Sequence, residues 1–223
     1  MKARSSVCMA ALVLFSASLA QAQDPVKVDS AHYKVIAENA NVRVLKISYA
    51  AGGKSVPHAH PDAIVVPLTT SKVRFANADG TSREEELAAG TAMYSPAGVH
   101  TPTNIGKTAV DAILVEFKGA QPGTATLPTA RPNMNLKMLA EGPRGNATHI
   151  VADATFAEPA GTKHDYDQVV IALAGAGMSL SINGKPAKTD WKRGDVALIG
   201  RGEGHESKNT SGKPTEFIIV AVK

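Results

Sequence analysis

The chain has 223 residues, 24 Lys and Arg against 20 Asp and Glu, and a formal net charge of +4. This leaves room for one large domain or two of about 100 residues. The mild, scattered charge excludes a nucleic-acid-binding stripe or an acidic tail. The single cysteine, Cys8, excludes a disulfide framework.

Residues 1–22 read as a signal peptide. Lys2 and Arg4 make a positive start, Val7–Leu19 is apolar but too short to span a bilayer comfortably, and Ala20-Gln21-Ala22 is a small-x-small cleavage site. Cys8 lacks the run that precedes a lipidated cysteine. Removing this segment lowers the net charge from +4 to +2 and takes away the thiol. The expected location is the periplasm or beyond, with no membrane span in the mature chain.

Gln23 to His32 is polar and reads as loosely held. Val42–Tyr49 alternates as a strand, and Gly52-Gly53 ends it. Pro57-His58-Ala59-His60-Pro61 follows, opening a β-branched run that includes Ile64 and Val65. Side chains at i and i+2 of a strand share a face, so His58 and His60 project together. Lys72–Phe75 and Arg83–Leu87 flank Asn77-Ala78-Asp79-Gly80, whose Asp-Gly pair signals a hairpin. Gly90 precedes the strand Thr91–Ser95, which leads to Pro96-Ala97-Gly98-Val99-His100. Ala109–Phe117 is nearly continuous apolar, as in a buried strand.

Gly119–Asn135 has three prolines, two glycines and no periodicity, and reads as a linker. Leu136–Ala140 fits one helical turn. Strand patterns then resume at Thr148–Phe156, Gln168–Leu173, Met178–Ile182, Lys185–Thr189, Val196–Ile199 and Thr215–Val222. Lys185, Lys188, Lys192 and Arg193 read as a solvated hairpin face. Many short strands with regular turns argue for a sandwich or barrel.

The second half repeats the first. Asp79-Gly80 matches Asn183-Gly184, Gly90 matches Gly194 and His60 matches His164, all at an offset of 104. His100 matches His205 and Asn104 matches Asn209 at 105.

These landmarks resemble the cupin superfamily, in a tandem (bicupin) arrangement. Its first motif, Gly then His-x-His then Glu, corresponds here to Gly53, His58 and His60, with Ile64 or Val65 where Glu is expected. Its second, Gly, Pro-x-Gly, His and Asn, corresponds to Gly90, Pro96, Gly98, His100 and Asn104. In the second half Gly194, Gly200, Gly202, His205 and Asn209 keep the spacing of the second motif, with Gly200 replacing proline. The first is worn there, with Thr162 and His164 at the histidine positions and Gln168 at the glutamate. The resemblance implies an all-β protein of two jelly-roll barrels, the N-terminal over 33–118 and the C-terminal over 136–223, joined by 119–135. It does not fix the activity, because the superfamily hosts dioxygenases, isomerases, decarboxylases and binding modules.

His58, His60 and His100 form the first candidate metal site. Three neutral imidazoles fix a divalent transition metal (Fe, Mn, Ni, Cu or Zn) and leave positions open for a ligand. Asp62 is a weaker candidate. His164, Gln168 and His205 form the second, a poor donor set unless Asp165, Asp167, Glu203 or Glu206 adds a carboxylate. The sequence therefore leads one to expect the metal in the first half. Trp191, Phe75, Met93, Tyr94 and Phe117 read as core or barrel lining, and His32 and His149 as ordinary polar residues. Three functions stay open: an exported non-haem metal enzyme, dioxygenase-like, acting on a small organic molecule; a non-catalytic module binding a small sugar or organic acid; and a structural protein with degenerate sites. The expected partner is a small molecule, not nucleic acid, and a homo-oligomer is compatible with the chain.

Overall fold

The computed structural model describes residues 23–119, 130–175 and 177–223. The expected signal peptide, and 120–129 of the expected linker, lie outside the described residues. A four-residue helix, α1 (Pro25–Val28), opens the chain, capped by the Asp24 carboxylate on the Val26 amide. This segment, read as loosely held, is fastened instead: Arg43 reaches both Asp24 (2.5 Å) and the buried Glu116 (2.6 Å). No helix among the described residues is long and apolar enough to cross a membrane.

The rest is antiparallel strand. The first half contains β1 (Tyr33–Glu38), β2 (Val42–Tyr49), β3 (His58–His60), β4 (Ala63–Pro67), β5 (Ser71–Asn77), β6 (Ser82–Leu87), β7 (Met93–Ser95), β8 (Gly98–Asn104) and β9 (Val110–Phe117). They form two facing sheets, ordered β1-β2-β9-β4-β7 and β3-β8-β5-β6. The second half contains β10 (Met134–Gly142), β11 (Gly145–Ala152), β12 (Asp167–Ala172), β13 (Met178–Ile182), β14 (Lys185–Lys188), β15 (Val196–Ile199), β16 (His205–Asn209) and β17 (Thr215–Val222). Its sheets run β10-β11-β17-β12-β15 and β14-β13-β16, so each half repeats the same jelly-roll. Leu136–Ala140, expected as a helical turn, is the middle of β10. Eight cross-strand pairs to β11 hold it extended, and tertiary pairing overrides a weak local preference.

The turn chemistry repeats with the sequence. Gly80 and Gly184, and again Gly90 and Gly194, have φ between +73° and +85°, the left-handed region where a Cβ is disfavoured.

The apolar run through β9 has a structural cause. Ile113, Val115 and Phe117 face a core shared with the second half, while Ala112 and Leu114 face the interior of the first barrel. β17 does the same, with Ile218, Val220 and Val222 in the shared core and Phe217 inside the second barrel. Both faces are buried, so the alternation expected of a half-exposed strand is absent. Fully burying each Val or Ile side chain contributes about 1.5–3 kcal/mol, which makes the shared wall a principal source of cohesion between the halves.

Candidate metal and ligand sites

The two asparagines of the repeat prove to be structural clasps. Asn104 Nδ2 donates to the carbonyls of Tyr49, Ala50 and Thr108, and its Oδ1 accepts from the Gly106 amide. Asn209 Nδ2 donates to the carbonyls of Ala152, Asp153 and Lys213, and its Oδ1 accepts from the Ser211 amide. Each clasp ties the end of the histidine-bearing strand to the opposite sheet and so fixes where that histidine stands.

In the first barrel, His58 lies directly across from His100 in the β3–β8 pairing. The rings of His58 and His60 lie 5.1 Å and 4.8 Å from that of His100. The three expected imidazoles are thus brought to one wall. Their bonding is uneven. His58 Nδ1 lies 2.9 Å from the Val56 carbonyl and His60 Nδ1 lies 2.7 Å from the Pro61 carbonyl. A carbonyl only accepts, so both rings carry the proton on Nδ1 and a lone pair on Nε2. The lone pair of His58 is taken: the Tyr33 hydroxyl lies 3.1 Å from Nε2 and itself accepts from the Tyr49 hydroxyl. Ser55 Oγ, 3.3 Å from His58 Nδ1, donates to Asp29 at 2.5 Å. Burial lowers the pKa of His58, and burial together with the neighbouring His60 and His58 takes His100 down to about 3. This wall bounds a cavity of about 690 Å3.

In the second barrel Thr162 bridges to His205 just as His58 pairs with His100, so the worn position lies where the repeat puts it. The missing donor comes from elsewhere. Among the described residues, one group of three donors has all its ligand atoms within 4.8 Å of one another: Glu158, His164 and His205. Glu158 was absent from the sequence-derived candidates. Its amide donates to the Ser207 carbonyl, as the Ser55 amide donates to the Pro102 carbonyl, so Glu158 occupies the loop position that Ser55 holds in the first barrel. One carboxylate oxygen meets His205 Nε2 (3.2 Å) and the Ser207 hydroxyl (2.9 Å), and the other meets Arg131 (3.0 Å). Burial pushes the Glu158 carboxyl up, but its bonds to His205 and Ser207 and the Arg131 charge outweigh burial and hold it below the usual range. Burial and His205 lower the pKa of His164 and so favour its neutral, metal-binding form.

Gln168 also lines this pocket, 4% exposed, and its Nε2 has no hydrogen-bond partner among the described residues. A buried amide donor without a partner is costly, so Gln168 has a free donor to offer an acceptor in this pocket. The strand pairing sets Gln168 opposite Ala221, the place Ala63 holds opposite Glu116 in the first barrel. The first barrel therefore presents no polar group at that point.

Asp165 lies close enough to His164 and Tyr166 to act on both electrostatically; Asp62, Asp167 and Glu203 are engaged elsewhere. Asp62 accepts from the Ala97 amide. Asp167 accepts from Asn39 and Asn41 of the other half. Glu203 staples its turn through the Gly200 amide and Asn183, and Glu206 is exposed. His32 and His149 pair with Asp29 and Glu216, respectively.

The second cavity is much smaller, about 140 Å3. Strand register gives the reason. Phe217 stands opposite Ile150 and Ala172, as Ala112 stands opposite Ile47 and Pro67. A phenylalanine thus replaces an alanine inside the barrel. Trp191 packs edge-on against Phe217 at 5.3 Å, with its indole N–H on the Met178 carbonyl.

No family model matches the sequence, and no curated protein matches it. Solved structures do match across both halves. AerE from Microcystis aeruginosa superposes with a TM-score of 0.65 at 13% identity, over 86% of this chain and 97% of the other. A cupin 2 conserved barrel domain protein from Leptotrichia buccalis gives 0.57 at 13%, over 86% and 88%. Salicylate 1,2-dioxygenase from Pseudaminobacter salicylatoxidans gives 0.65 at 10%, over 85% and 76%. The fold is that of the cupins. Within that fold the first barrel carries three histidines, His58, His60 and His100, and the second carries two, His164 and His205, with Thr162 in the place of His58; each barrel has its asparagine, Asn104 or Asn209. In the first barrel the lining carboxylate, Glu85, is paired with Arg83, and no carboxylate converges with the histidines among the described residues. The second recruits one from the loop before Thr162.

Proposed function

We propose that the second cupin barrel is a divalent-metal centre acting on a small organic acid or phenol, with Glu158, His164 and His205 as ligands. The convergence of these three donors carries the reading. Two imidazoles and a carboxylate suit a borderline transition metal and leave positions open. When bound, such a metal supplies Lewis-acid polarisation or oxygen activation.

The chain's own residues define the substrate. A dry cavity of about 150 Å3 is known to accept benzene, so a pocket of about 140 Å3 suits a molecule of that size. Gln168 Nε2 is placed to donate to a substrate oxygen. Arg131, which lines the same pocket, orients a carboxylate once Glu158 turns toward the metal. Phe156, Trp191 and Phe217 exclude water from the apolar side. A salicylate 1,2-dioxygenase is among the structures that share the fold, which supports a dioxygenase-like reaction. The Val7–Leu19 segment and Ala20-Gln21-Ala22 support export as part of the same proposal.

One observation favours a second reading, a metal-free acid-binding module: both Glu158 oxygens already have partners. Metal analysis of protein purified without added metal separates the two, followed by oxygen uptake with small phenols and organic acids. About one metal per chain, with oxygen consumed by at least one substrate, supports the enzyme. Acid binding by metal-free protein, with no stoichiometric metal after incubation with Fe, Mn, Ni, Cu or Zn, supports the module.

A further inference from the structure

The first barrel holds the larger cavity, about 690 Å3, and the metal reading of the second barrel makes no use of it. Pockets of this size match small-molecule sites generally. Beside the wall bearing His58, His60 and His100, Phe75 lies 5.1 Å from His100, and Leu87, Met93 and Leu114 line the cavity further along; its other polar lining includes Asn77, across from His100, and the Arg83–Glu85 pair.

The hydrogen bonds on this wall decide what it takes. The line from Tyr49 to Tyr33 ends on His58 Nε2, and His58 donates its Nδ1–H to the Val56 carbonyl. His58 has nothing left to offer. An oxygen 3.1 Å from Nε2 stands in the approach of a metal, which needs about 2.0–2.1 Å to the same nitrogen. Tyr33 is 3% exposed and packed in the barrel core, so it does not swing aside freely. The three imidazoles are also not among the donor groups that converge within 4.8 Å. His60 is different. Its Nδ1 proton goes to Pro61, and its Nε2 lone pair has no partner among the described residues. His100, 4.8 Å away ring to ring, has no hydrogen bond among the described residues.

We propose that the first barrel binds, without metal, a neutral organic molecule with an apolar body and a hydroxyl group, a phenol or alcohol, whose O–H donates to His60 Nε2 beside His100. The hydroxyl supplies the donor that His60 lacks, and its oxygen can accept from His100. Phe75 and the aliphatic lining take the body. Arg83, the nearest cation, is already tied to Glu85 at 2.5 Å and lies over the Phe75 ring, so the wall offers no free positive charge to a carboxylate.

The test is calorimetric titration of the full chain in excess EDTA with 2-naphthol, naphthalene and 2-naphthoate, probes too large for the second cavity. One equivalent of 2-naphthol should bind, at least tenfold more tightly than either analogue. The His60→Leu variant should lose at least tenfold in 2-naphthol affinity, and His164→Leu should lose less than twofold. Should His60→Leu not fold, His60→Gln retains an acceptor, and the three-probe comparison on the unaltered protein decides alone. Equal binding of naphthalene, preference for 2-naphthoate, or loss of 2-naphthol binding in EDTA would each overturn the proposal. So would a stoichiometric divalent metal that His60→Leu removes and His164→Leu does not. None of these outcomes depends on whether the second barrel holds metal.

Discussion

Replacing Glu158 by Gln tests the metal centre with the least disturbance to shape. The amide has the volume of the carboxylate but one acceptor oxygen and no charge. In the folded protein the carboxylate takes three bonds, from Ser207 at 2.9 Å, Arg131 at 3.0 Å and His205 at 3.2 Å. The amide oxygen can keep Arg131 while its NH2 faces Ser207 and the lone pair of a re-tautomerised His205. What is lost is charge assistance, which roughly doubles the strength of such bonds. With Arg131 half exposed to solvent, the cost to folding is about 1–2 kcal/mol, a fall in Tm of roughly 2–8 °C for a chain of this size. The effect on metal is larger. Removing a partner that merely orients a ligand costs about 10–100-fold in affinity, and here a ligand itself goes. The expected loss is at least about 100-fold, or about 2.7 kcal/mol. E158Q should therefore remain folded at 25 °C while holding little metal. The assay is metal per chain by atomic emission after chelator treatment and equilibration with equimolar metal, alongside a thermal melt. Metal content equal to that of the unaltered protein, in a folded E158Q, would refute the assignment of Glu158 as a ligand.

Two further outcomes follow from packing and titration. A Cβ on Gly142 would lie 2.1 Å from the Tyr94 ring, across the boundary between the halves, so Gly142→Ala should destabilise by about 1–3 kcal/mol, and adding Tyr94→Ala should recover part of this in denaturant melts; a G142A melt unchanged from the parent refutes the close contact. The depressed pKa values of His58, His100 and His164 mean that the unfolded chain binds more protons than the fold below pH about 6.5. Stability is therefore complete above that pH and falls on acidification toward about 3 for His100; a Tm that is flat or rises between pH 7 and 5 refutes neutral burial of these rings.

The landmarks readable in the sequence were those that repeat. Asp79-Gly80 with Asn183-Gly184, Gly90 with Gly194, and Asn104 with Asn209 each serve a local need: a positive φ, or a carbonyl clasp. Local needs leave the same residues at the same spacing. The histidines were legible because strand alternation puts His58 and His60 on one face. Glu158 was not legible. It lies in the loop Ala157-Glu158-Pro159-Ala160-Gly161, which has no periodicity, and its counterpart by backbone bonding is Ser55, a different chemistry at a shifted offset. The isolated bridge from Ala157 to Lys208 brings it to the site, and a long-range bridge leaves no mark in a single sequence. Tyr33 is not legible because β1 (Tyr33–Glu38) follows directly on the polar Gln23–His32 stretch and shows no clean burial alternation. Its contact with His58 spans 25 residues and follows from the β1–β2 pairing.

The two barrels share one backbone plan, and a few positions give them different interiors. At the loop position before the first histidine, Ser55 joins His58 to Asp29, whereas Glu158 turns a carboxylate toward His205. Ala63 leaves the first wall without a polar group where Gln168 presents an unpartnered amide in the second. Ala112 leaves volume that Phe217 fills. Each cavity is lined by one arginine and one glutamate, Arg83 and Glu85 in the first and Arg131 and Glu158 in the second. The difference is where the carboxylate stands: Glu158 meets His205, whereas Glu85 pairs with Arg83. Because the halves share a buried wall, neither interior can be altered freely from its own side: β9 and β17 each carry lining residues on one face and shared core on the other. The Ser55/Glu158 difference lies in a loop, and the Ala63/Gln168 and Ala112/Phe217 differences lie on the interior faces, away from that shared wall.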